Sequence, residues 1–172
     1  MGLYFAARDA FARPGRVRLA LDLVLGLATV VGLYAIAQVA GQDPFQWRRA
    51  AVYAGSYVRP FATLGHPNLL GLLAAAAASI GLALAVSGKR GVSRWLRAGA
   101  AVLLVIVTIL TLSRAAWLGL GAGLVAAMTL ALREHGVARL SARTLGLAAA
   151  GAVVAGVMVV MTGAWSLVAQ RF

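Results

Sequence analysis

The apolar residues of this chain fall into blocks that are long enough to cross a membrane as helices. A spanning helix needs about 20 mostly apolar residues, since each residue adds about 1.5 Å across roughly 30 Å of hydrocarbon. Blocks of this kind begin near residues 19, 69, 98 and 145, and arginine-containing stretches separate them. This pattern predicts a bundle of transmembrane helices.

Composition and charge agree with a membrane protein. Hydrophobic residues make up 62% of the chain and charged residues 12%, whereas a soluble globular chain has roughly 45–50% apolar and 25% charged residues. The net charge of +12 would suggest nucleic acid in a soluble protein. Here the basic residues lie between the apolar blocks, so we assign them to topology and to anionic membrane lipids, and we expect no nucleic-acid partner.

The apolar run 98–132 is interrupted only at Ser113-Arg114. As one helix it would extend about 50 Å, which is too long for a single crossing without extreme tilt. A single helix would also hold Arg114 near the middle of the membrane, at a cost of at least several kcal/mol. We therefore predict two helices that meet at Ser113-Arg114.

The fold class that follows is all-α: a polytopic transmembrane helix bundle of about five spans in one domain, residues 1–172. The predicted spans are 19–40, 69–88, 94–112, 115–132 and 145–167, and the longest connection is an outer loop at 41–68. The basic residues of the stretch before the first span and of the loops at 89–97 and 133–143 outnumber those of the opposite side. The positive-inside rule therefore places the N-terminus in the cytoplasm and the C-terminus outside.

Three smaller patterns carry expectations about packing. Asp22 follows Arg18 by four residues, a spacing that predicts an ion pair on one helix face. Trp117 is expected at the outer membrane interface, as part of an aromatic belt with Trp47, Trp95 and Trp165. Gly119 and Gly123 have the four-residue spacing that lets helices approach closely in lipid.

The signatures of soluble-enzyme chemistry and of metal binding are missing. The four acidic residues are Asp9, Asp22, Asp43 and Glu134, and they are distributed over both predicted faces of the membrane. Cysteine is absent, and the two histidines are expected on opposite sides. We therefore expect no metal and no other cofactor.

Polar and turn-forming residues collect in the outer loop, immediately before the second span. Arg59, His66 and Asn68 all lie within residues 57–68, and Pro67-Asn68 suits a turn that leads into a helix N-terminus. Helix N-termini attract anions, and a guanidinium group binds phosphate oxygens in a bidentate fork. From the residues alone, a capped helix start with an arginine that reaches the headgroups is the simpler interpretation.

Arg114 is harder to explain as topology. The outer face needs no positive charge, and an arginine held at membrane depth is a functional-site hypothesis by default. If Arg59 and Arg114 converge above the bundle, they form an electropositive pocket toward the outer leaflet. A phosphate or diphosphate on a lipid would be the natural ligand.

These residues give the chain a family resemblance. Arg59 followed by Thr63-Leu64-Gly65-His66-Pro67-Asn68, and then Arg114 with Leu118 in an Arg-x-x-x-Leu pattern, resembles the bacterial O-antigen ligase and O-antigen polymerase family. The end of the first span, residues 33–38, is also similar to the family's helix before the outer loop. The resemblance covers most of the chain.

The resemblance implies a multi-pass glycosyltransferase of the bacterial inner membrane. Such enzymes take a glycan from an undecaprenyl-diphosphate carrier and pass it to a lipid or glycan acceptor on the periplasmic side. The family's arginines are thought to hold the diphosphate, a role that carries over to Arg59 and Arg114 as catalytic residues. His66 and Asn68 match the same motif, so they are assigned with the two arginines to substrate binding.

Two features depart from the family pattern. The family usually has many more spans than the five expected here, and its proposed general base is a histidine in a large periplasmic loop further toward the C-terminus. His66 is a poor substitute because the family often has asparagine at that position, and His135 is expected on the cytoplasmic side. We therefore interpret the chain as a fragment or a truncated gene product.

A second class of protein also fits the outer arginines. A small polytopic transporter or assembly subunit would use them to bind an anionic lipid or solute. Carriers, however, usually have polar residues or broken helices at mid-membrane, and the spans 69–88 and 145–167 contain very few polar residues. The glycosyltransferase interpretation is therefore preferred.

Overall fold

The computed structural model describes residues 12, 14–45, 52–54, 57–87 and 91–135. Four helices account for most of these residues: α1 (Pro14–Val39), α2 (Pro67–Ser87), α3 (Val92–Leu110) and α4 (Arg114–His135). Between α1 and α2 lie two short antiparallel strands, β1 (Val52–Ala54) and β2 (Tyr57–Arg59), and a 3-10 turn (Ala62–Leu64). The predicted helical fold class is confirmed, while the predicted span 145–167 lies outside the described residues.

Three of the helices are long and apolar enough to cross a membrane. They are the segments Gly15–Val39, Pro67–Ser87 and Val92–Leu110, and the apolar part of α4, Arg114–Thr129, is shorter. Proline occupies the first position of α1 and of α2, where its missing N–H has no partner to lose. Four of the predicted spans fall on described helices, and their predicted ends lie within a few residues of the observed helix ends.

The predicted break in the long apolar run is confirmed. Helix α3 ends at Leu110 and α4 begins at Arg114. The chain reverses through Thr111 and Leu112, and Leu112 has the left-handed φ of 50°. Arg114 therefore lies at a helix end and not in the middle of a span.

Helix α2 is the centre of the bundle, packed against α1, α3 and α4. Its buried residues are mostly small, a composition that lets neighbouring backbones approach closely: Pro67, Leu70, Gly71, Ala74, Ala75, Ala77, Ala78, Gly81, Leu84 and Ala85. Helix α1 packs on α3 as well as on α2. Because successive helices run in opposite directions, the end of α1, the start of α2 and the α3–α4 turn meet at one end of the bundle.

Only one glycine of the predicted Gly119–Gly123 pair lies at a close helix contact. A Cβ added at Gly123 would collide with the Ser79 side chain of α2. A Cβ added at Gly119 would meet no atom of the described residues within 4 Å. The spacing therefore identified the correct helix, but within the described residues the contact is made at Gly123.

The ion pair of Asp22 is formed with a different arginine from the one predicted. Arg97 of α3 donates two hydrogen bonds to the carboxylate, Nε to Oδ1 at 2.8 Å and Nη2 to Oδ2 at 2.7 Å. The expected pair with Arg18 is wrong, because packing of α1 on α3 presents a forked guanidinium that fits both carboxylate oxygens. This pair joins α1 to α3 through two residues that lie 75 positions apart in the chain.

Trp117 also differs from its prediction. Its side chain is only 7% exposed, and its indole Nε1 donates a hydrogen bond to the carbonyl oxygen of Thr108 at 3.1 Å. It therefore belongs to the interior of the bundle and not to an interfacial belt. Trp95, by contrast, is 70% exposed near the opposite end of the bundle, where an interfacial position fits. Trp47 and Trp165 lie outside the described residues.

Candidate functional site

A buried glutamine attaches the segment after the hairpin to the end of α1. Gln38 is 7% exposed, and its side-chain Oε1 accepts hydrogen bonds from the backbone N–H groups of Phe61 and Ala62, both at 3.0 Å. Its Nε2 donates to Oδ2 of Asp43 at 2.7 Å. One amide side chain therefore links α1, the stretch that follows α1, and the chain immediately beyond β2.

Asp43 is held in place by further donors. The Tyr34 hydroxyl donates to Oδ1 of Asp43 at 2.7 Å, and the backbone N–H of Phe45 donates to the same oxygen at 3.0 Å. The rings of Tyr34 and Phe45 meet edge to face, with their centroids 6.2 Å apart. These contacts make the end of α1 a defined support for the segment that follows β2.

The backbone after β2 adopts a conformation that is unfavourable without such support. Ala62 has a φ of 46°, in the left-handed region that costs a residue with a side chain about 1–2 kcal/mol. Its backbone N–H donates one of the two hydrogen bonds that Oε1 of Gln38 accepts. Gly65 directly follows the 3-10 turn. Its φ of 70° lies in the left-handed region, which glycine adopts without steric cost.

Strand β2 lies against the end of α3 through its first residue. The two strands pair antiparallel with Tyr53 opposite Val58, and the Tyr57 hydroxyl donates to the carbonyl oxygen of Leu110 at 2.9 Å. Burial raises the pKa of Tyr57 above its ordinary value, and the nearby Arg59 charge opposes this rise. The hydroxyl is therefore kept protonated and available as a donor to a carbonyl that α3 itself does not satisfy.

Arg59 connects three parts of the bundle. Its Nε donates to the carbonyl oxygen of Thr111 at 2.7 Å, and its Nη2 donates to Oδ1 of Asn68 at 3.0 Å. Within the described part of the chain, its guanidinium is paired with no carboxylate. The group is thus fixed in position by neutral acceptors.

His66 and Asn68 form the beginning of α2. The backbone N–H of Asn68 donates to Nδ1 of His66 at 3.1 Å, so His66 acts as the N-cap of the helix and Pro67 takes the first helical position. In this geometry Nδ1 is the acceptor and the ring hydrogen belongs on Nε2. Both side chains are exposed, and the predicted helix N-terminus at Pro67-Asn68 is confirmed.

The turn between α3 and α4 is closely packed. The carbonyl oxygen of Thr108 accepts hydrogen bonds from Oγ1 of Thr111 at 2.7 Å and from Trp117, and the Ser113 hydroxyl accepts one from the N–H of Ala116 at 3.4 Å. Thr111 and Ser113 are buried. A Cβ at Gly71 of α2 would come within 2.7 Å of Oγ1 of Thr111, so the turn lies directly on the helix that begins at the His66 cap.

Arg114 begins α4 beside this turn. Its side chain is exposed and has no hydrogen-bond or ion-pair partner among the residues that the structure describes. Three peptide units separate it from Thr111, so their Cα atoms lie at most about 11 Å apart. The carbonyl of Thr111 is the one that Arg59 binds.

The structure thus brings Arg59 and Asn68 into contact, with His66 next to Asn68, and it places Arg114 on the neighbouring helix start. Arg59 and Arg114 bring two positive charges to this end of the bundle, where the positive N-termini of α2 and α4 lie near the negative C-termini of α1 and α3. In the described ranges, no three side chains of the metal-binding types lie together. The sequence did not indicate the supporting contacts of Gln38 and Tyr57; the only signal for Gln38 was an amide at the end of an apolar helix.

The fold defines a class of protein but not a family. Its three long apolar helices indicate a membrane protein. No protein-family model matches the sequence, and no match was found among curated proteins or among solved structures.

Proposed function

We propose that the protein is an O-antigen ligase-like glycosyltransferase of the bacterial inner membrane. It transfers a glycan from an undecaprenyl-diphosphate carrier to a lipid-linked or surface acceptor on the outer side of that membrane. Arg59 and Arg114 hold the diphosphate, and His66 and Asn68 complete the binding site. The proposal includes about five spans with a cytoplasmic N-terminus, and it needs no metal or nucleotide.

The observation that carries this proposal is the position of Arg59. Its guanidinium has a fixed orientation between Thr111 and Asn68, with no carboxylate partner in the described ranges. A diphosphate leaving group gains negative charge as the glycosidic bond breaks, and preorganised cations stabilise that charge without reorganising. An arginine fixed by neutral acceptors is suited to this task.

The exposed groups around Arg59 extend the same chemistry. Arg114 lies at the start of α4, where the helix dipole also favours an anion. The Nε2–H of His66 is directed by the cap that Nδ1 makes and can donate to a phosphate or sugar oxygen. The exposed apolar residues Leu69 and Leu118 lie beside these polar groups, as a lipid-linked substrate requires.

Transfer assays on arginine variants of the full-length protein test the proposal. In proteoliposomes with an undecaprenyl-diphosphate-linked glycan and an acceptor, Arg59→Ala and Arg114→Ala are expected to lower the transfer rate by a factor of about 10²–10³. Arg94→Ala, at the opposite end of the bundle, is the matched control and should keep the wild-type rate. A wild-type rate in either outer variant removes that arginine from the site.

A binding measurement on the same variants separates the enzyme from the alternative. A transporter or assembly subunit would bind an isoprenoid diphosphate through Arg59 and Arg114 but would transfer no glycan. Binding of farnesyl diphosphate in detergent is therefore measured beside transfer. Binding without transfer in the full-length protein would replace the enzyme proposal with the binding-subunit alternative.

A further inference from the structure

We infer that Gln38 is the positioning residue for Arg59. The inference rests on the proposed function, in that Arg59 is the residue taken to hold the diphosphate. No hydrogen bond joins Gln38 to Arg59. It acts through the backbone immediately after Arg59, and this action can be tested with or without a bound ligand.

The hydrogen bonds of Gln38 converge on one short piece of backbone. Its Oε1 accepts from Phe61 and Ala62 at 3.0 Å each, and only Pro60 separates Phe61 from Arg59. Phe61 and Ala62 are themselves buried, at 2% and 0% exposure. The chain is therefore fixed directly after Arg59, at a point where no solvent could replace the two bonds.

The conformation of Ala62 explains why such a support is needed. Its positive φ of 46° is unfavourable for alanine, so the free chain would leave this conformation. Pro60 keeps its own φ near −65°, which leaves fewer rotatable backbone angles between Ala62 and Arg59. Loss of the Gln38 acceptor should therefore shift the guanidinium relative to Thr111 and Asn68.

The orientation of the Gln38 amide is set by Asp43. Its Nε2 donates to Oδ2 of Asp43 at 2.7 Å, and Oδ1 of Asp43 accepts from Tyr34 and Phe45. With the amide nitrogen bound to a carboxylate, Oε1 must face the two N–H groups. Glutamine supplies both a donor and an acceptor in one side chain, which neither leucine nor an ionised glutamate can do.

Four variants test this assignment. Gln38→Leu removes both functions, and Gln38→Glu keeps the acceptor but places a second carboxylate against Asp43. Adding Asp43→Asn to Gln38→Glu exchanges the amide and the carboxylate, so that donor and acceptor face each other again. Gln42→Leu is the matched control, because Gln42 is exposed four residues further on and has no side-chain hydrogen bond among the described residues.

Hydrogen exchange of the segment 57–64 gives the first measurement and needs no ligand. Gln38→Leu and Gln38→Glu should speed hydrogen exchange at Phe61 and Ala62 at least about tenfold. The hydrogen bonds to Gln38 that oppose local opening at these two amides are lost or weakened in the variants. Exchange in α2 should stay unchanged, which separates local release from unfolding. The double variant should recover most of the protection, and Gln42→Leu should equal the wild type.

Binding of farnesyl diphosphate gives the second measurement. The dissociation constant is expected to rise about tenfold in Gln38→Leu and Gln38→Glu and to recover in the double variant, a rescue that general destabilisation would not produce. Unchanged exchange at Phe61 and Ala62 in both single variants overturns the inference. The inference is also overturned if the two single variants exchange faster but bind farnesyl diphosphate as tightly as the wild type, while Arg59→Ala binds it more weakly.

The two proposals fail in different ways. If the wild type does not bind farnesyl diphosphate, or if Arg59→Ala binds it as well as the wild type, the proposed role of Arg59 is wrong. Exchange alone then decides whether Gln38 fixes the backbone next to Arg59: faster exchange with rescue supports it, and unchanged exchange overturns it.

Discussion

The Nε atom of Arg59 donates a 2.7 Å hydrogen bond to the carbonyl oxygen of Thr111, a residue 52 positions later in the chain. That carbonyl lies at the C-terminal end of α3, where the helix dipole is negative and attracts a cation. The second hydrogen bond of Arg59 reaches Asn68 at the start of α2. One guanidinium therefore fixes the β1–β2 hairpin to two helix ends and still leaves N–H donors for a ligand.

Arg59→Lys should separate charge from geometry at this position. Lysine keeps the positive charge, but it has no planar fork with which to bind Thr111 and Asn68 together. We expect farnesyl diphosphate to bind about tenfold more weakly than in the wild type and more tightly than in Arg59→Ala. Titration calorimetry in detergent measures all three. Wild-type affinity in the lysine variant would show that charge alone matters and that the two hydrogen bonds do not.

Gly123 and Gly119 offer a comparison of the same substitution at two faces of α4. Gly123→Ala should lower the free energy of unfolding by about 1–3 kcal/mol, because its Cβ would collide with Ser79. Gly119→Ala should be neutral or stabilising by up to about 1 kcal/mol, since its Cβ meets no atom of the described residues within 4 Å and alanine is the better helix former. Chemical unfolding in detergent measures both.

A second substitution shows whether the contact itself is responsible. Ser79→Gly in the Gly123→Ala background removes the atoms that collide, so part of the lost stability should return. Equal effects of the two alanine substitutions would contradict the packing of α4 on α2 through Gly123.

Sequence reasoning predicted the helices because their signal is local. Block length, the break at Ser113-Arg114 and the proline at the start of α2 can all be read within one stretch of chain. It also placed Arg59, His66 and Asn68 near one helix start, since they lie within ten residues of each other. These predictions depend on spacing along the chain, and the structure reproduces them.

The contacts between helices could not be obtained in this way. The four-residue spacing of Arg18 and Asp22 suggested a local pair, but the partner of Asp22 is Arg97. Trp117 was assigned to the membrane interface because tryptophan is common there, yet its indole is buried against Thr108. In both cases the outcome depends on how helices distant in sequence pack, and a single sequence does not show that packing.

The ion pair between Asp22 and Arg97 should stabilise the packing of α1 against α3. The Asp22 side chain is 32% exposed and the Arg97 side chain is 15% exposed. The ion pair is therefore neither fully exposed nor fully buried. Arg97→Gln and Asp22→Asn should each lower the free energy of unfolding by about 1–3 kcal/mol. The double variant should lose less than the sum, since the two residues interact directly.

Arg18→Gln is the control for this pair, because the four-residue spacing predicts Arg18 as the partner of Asp22. Its loss should change stability by no more than about 0.5 kcal/mol. Unfolding by denaturant in the same detergent measures the four variants. If Arg18→Gln were as destabilising as Arg97→Gln, the arrangement of α1 and α3 would be contradicted.

The attachment of the β1–β2 hairpin to α3 should depend on pH through Tyr57. Burial raises the pKa of this tyrosine above its ordinary value of 10.0, so the folded protein favours the neutral phenol that donates to Leu110. A group whose folded pKa is raised contributes stability that is complete below the unfolded pKa and is lost as pH rises through the folded pKa. The contribution of Tyr57 should therefore disappear above about pH 10.

Tyr57→Phe isolates this effect. Near pH 8 it should be less stable than the wild type by about 1 kcal/mol, because the Leu110 carbonyl loses its donor. As pH rises beyond about 10, the melting temperature of the wild type should fall more steeply than that of Tyr57→Phe, so the two curves converge. Thermal unfolding between pH 8 and 11.5 measures both, and parallel curves over this range would show that the phenol of Tyr57 does not hold the hairpin against α3.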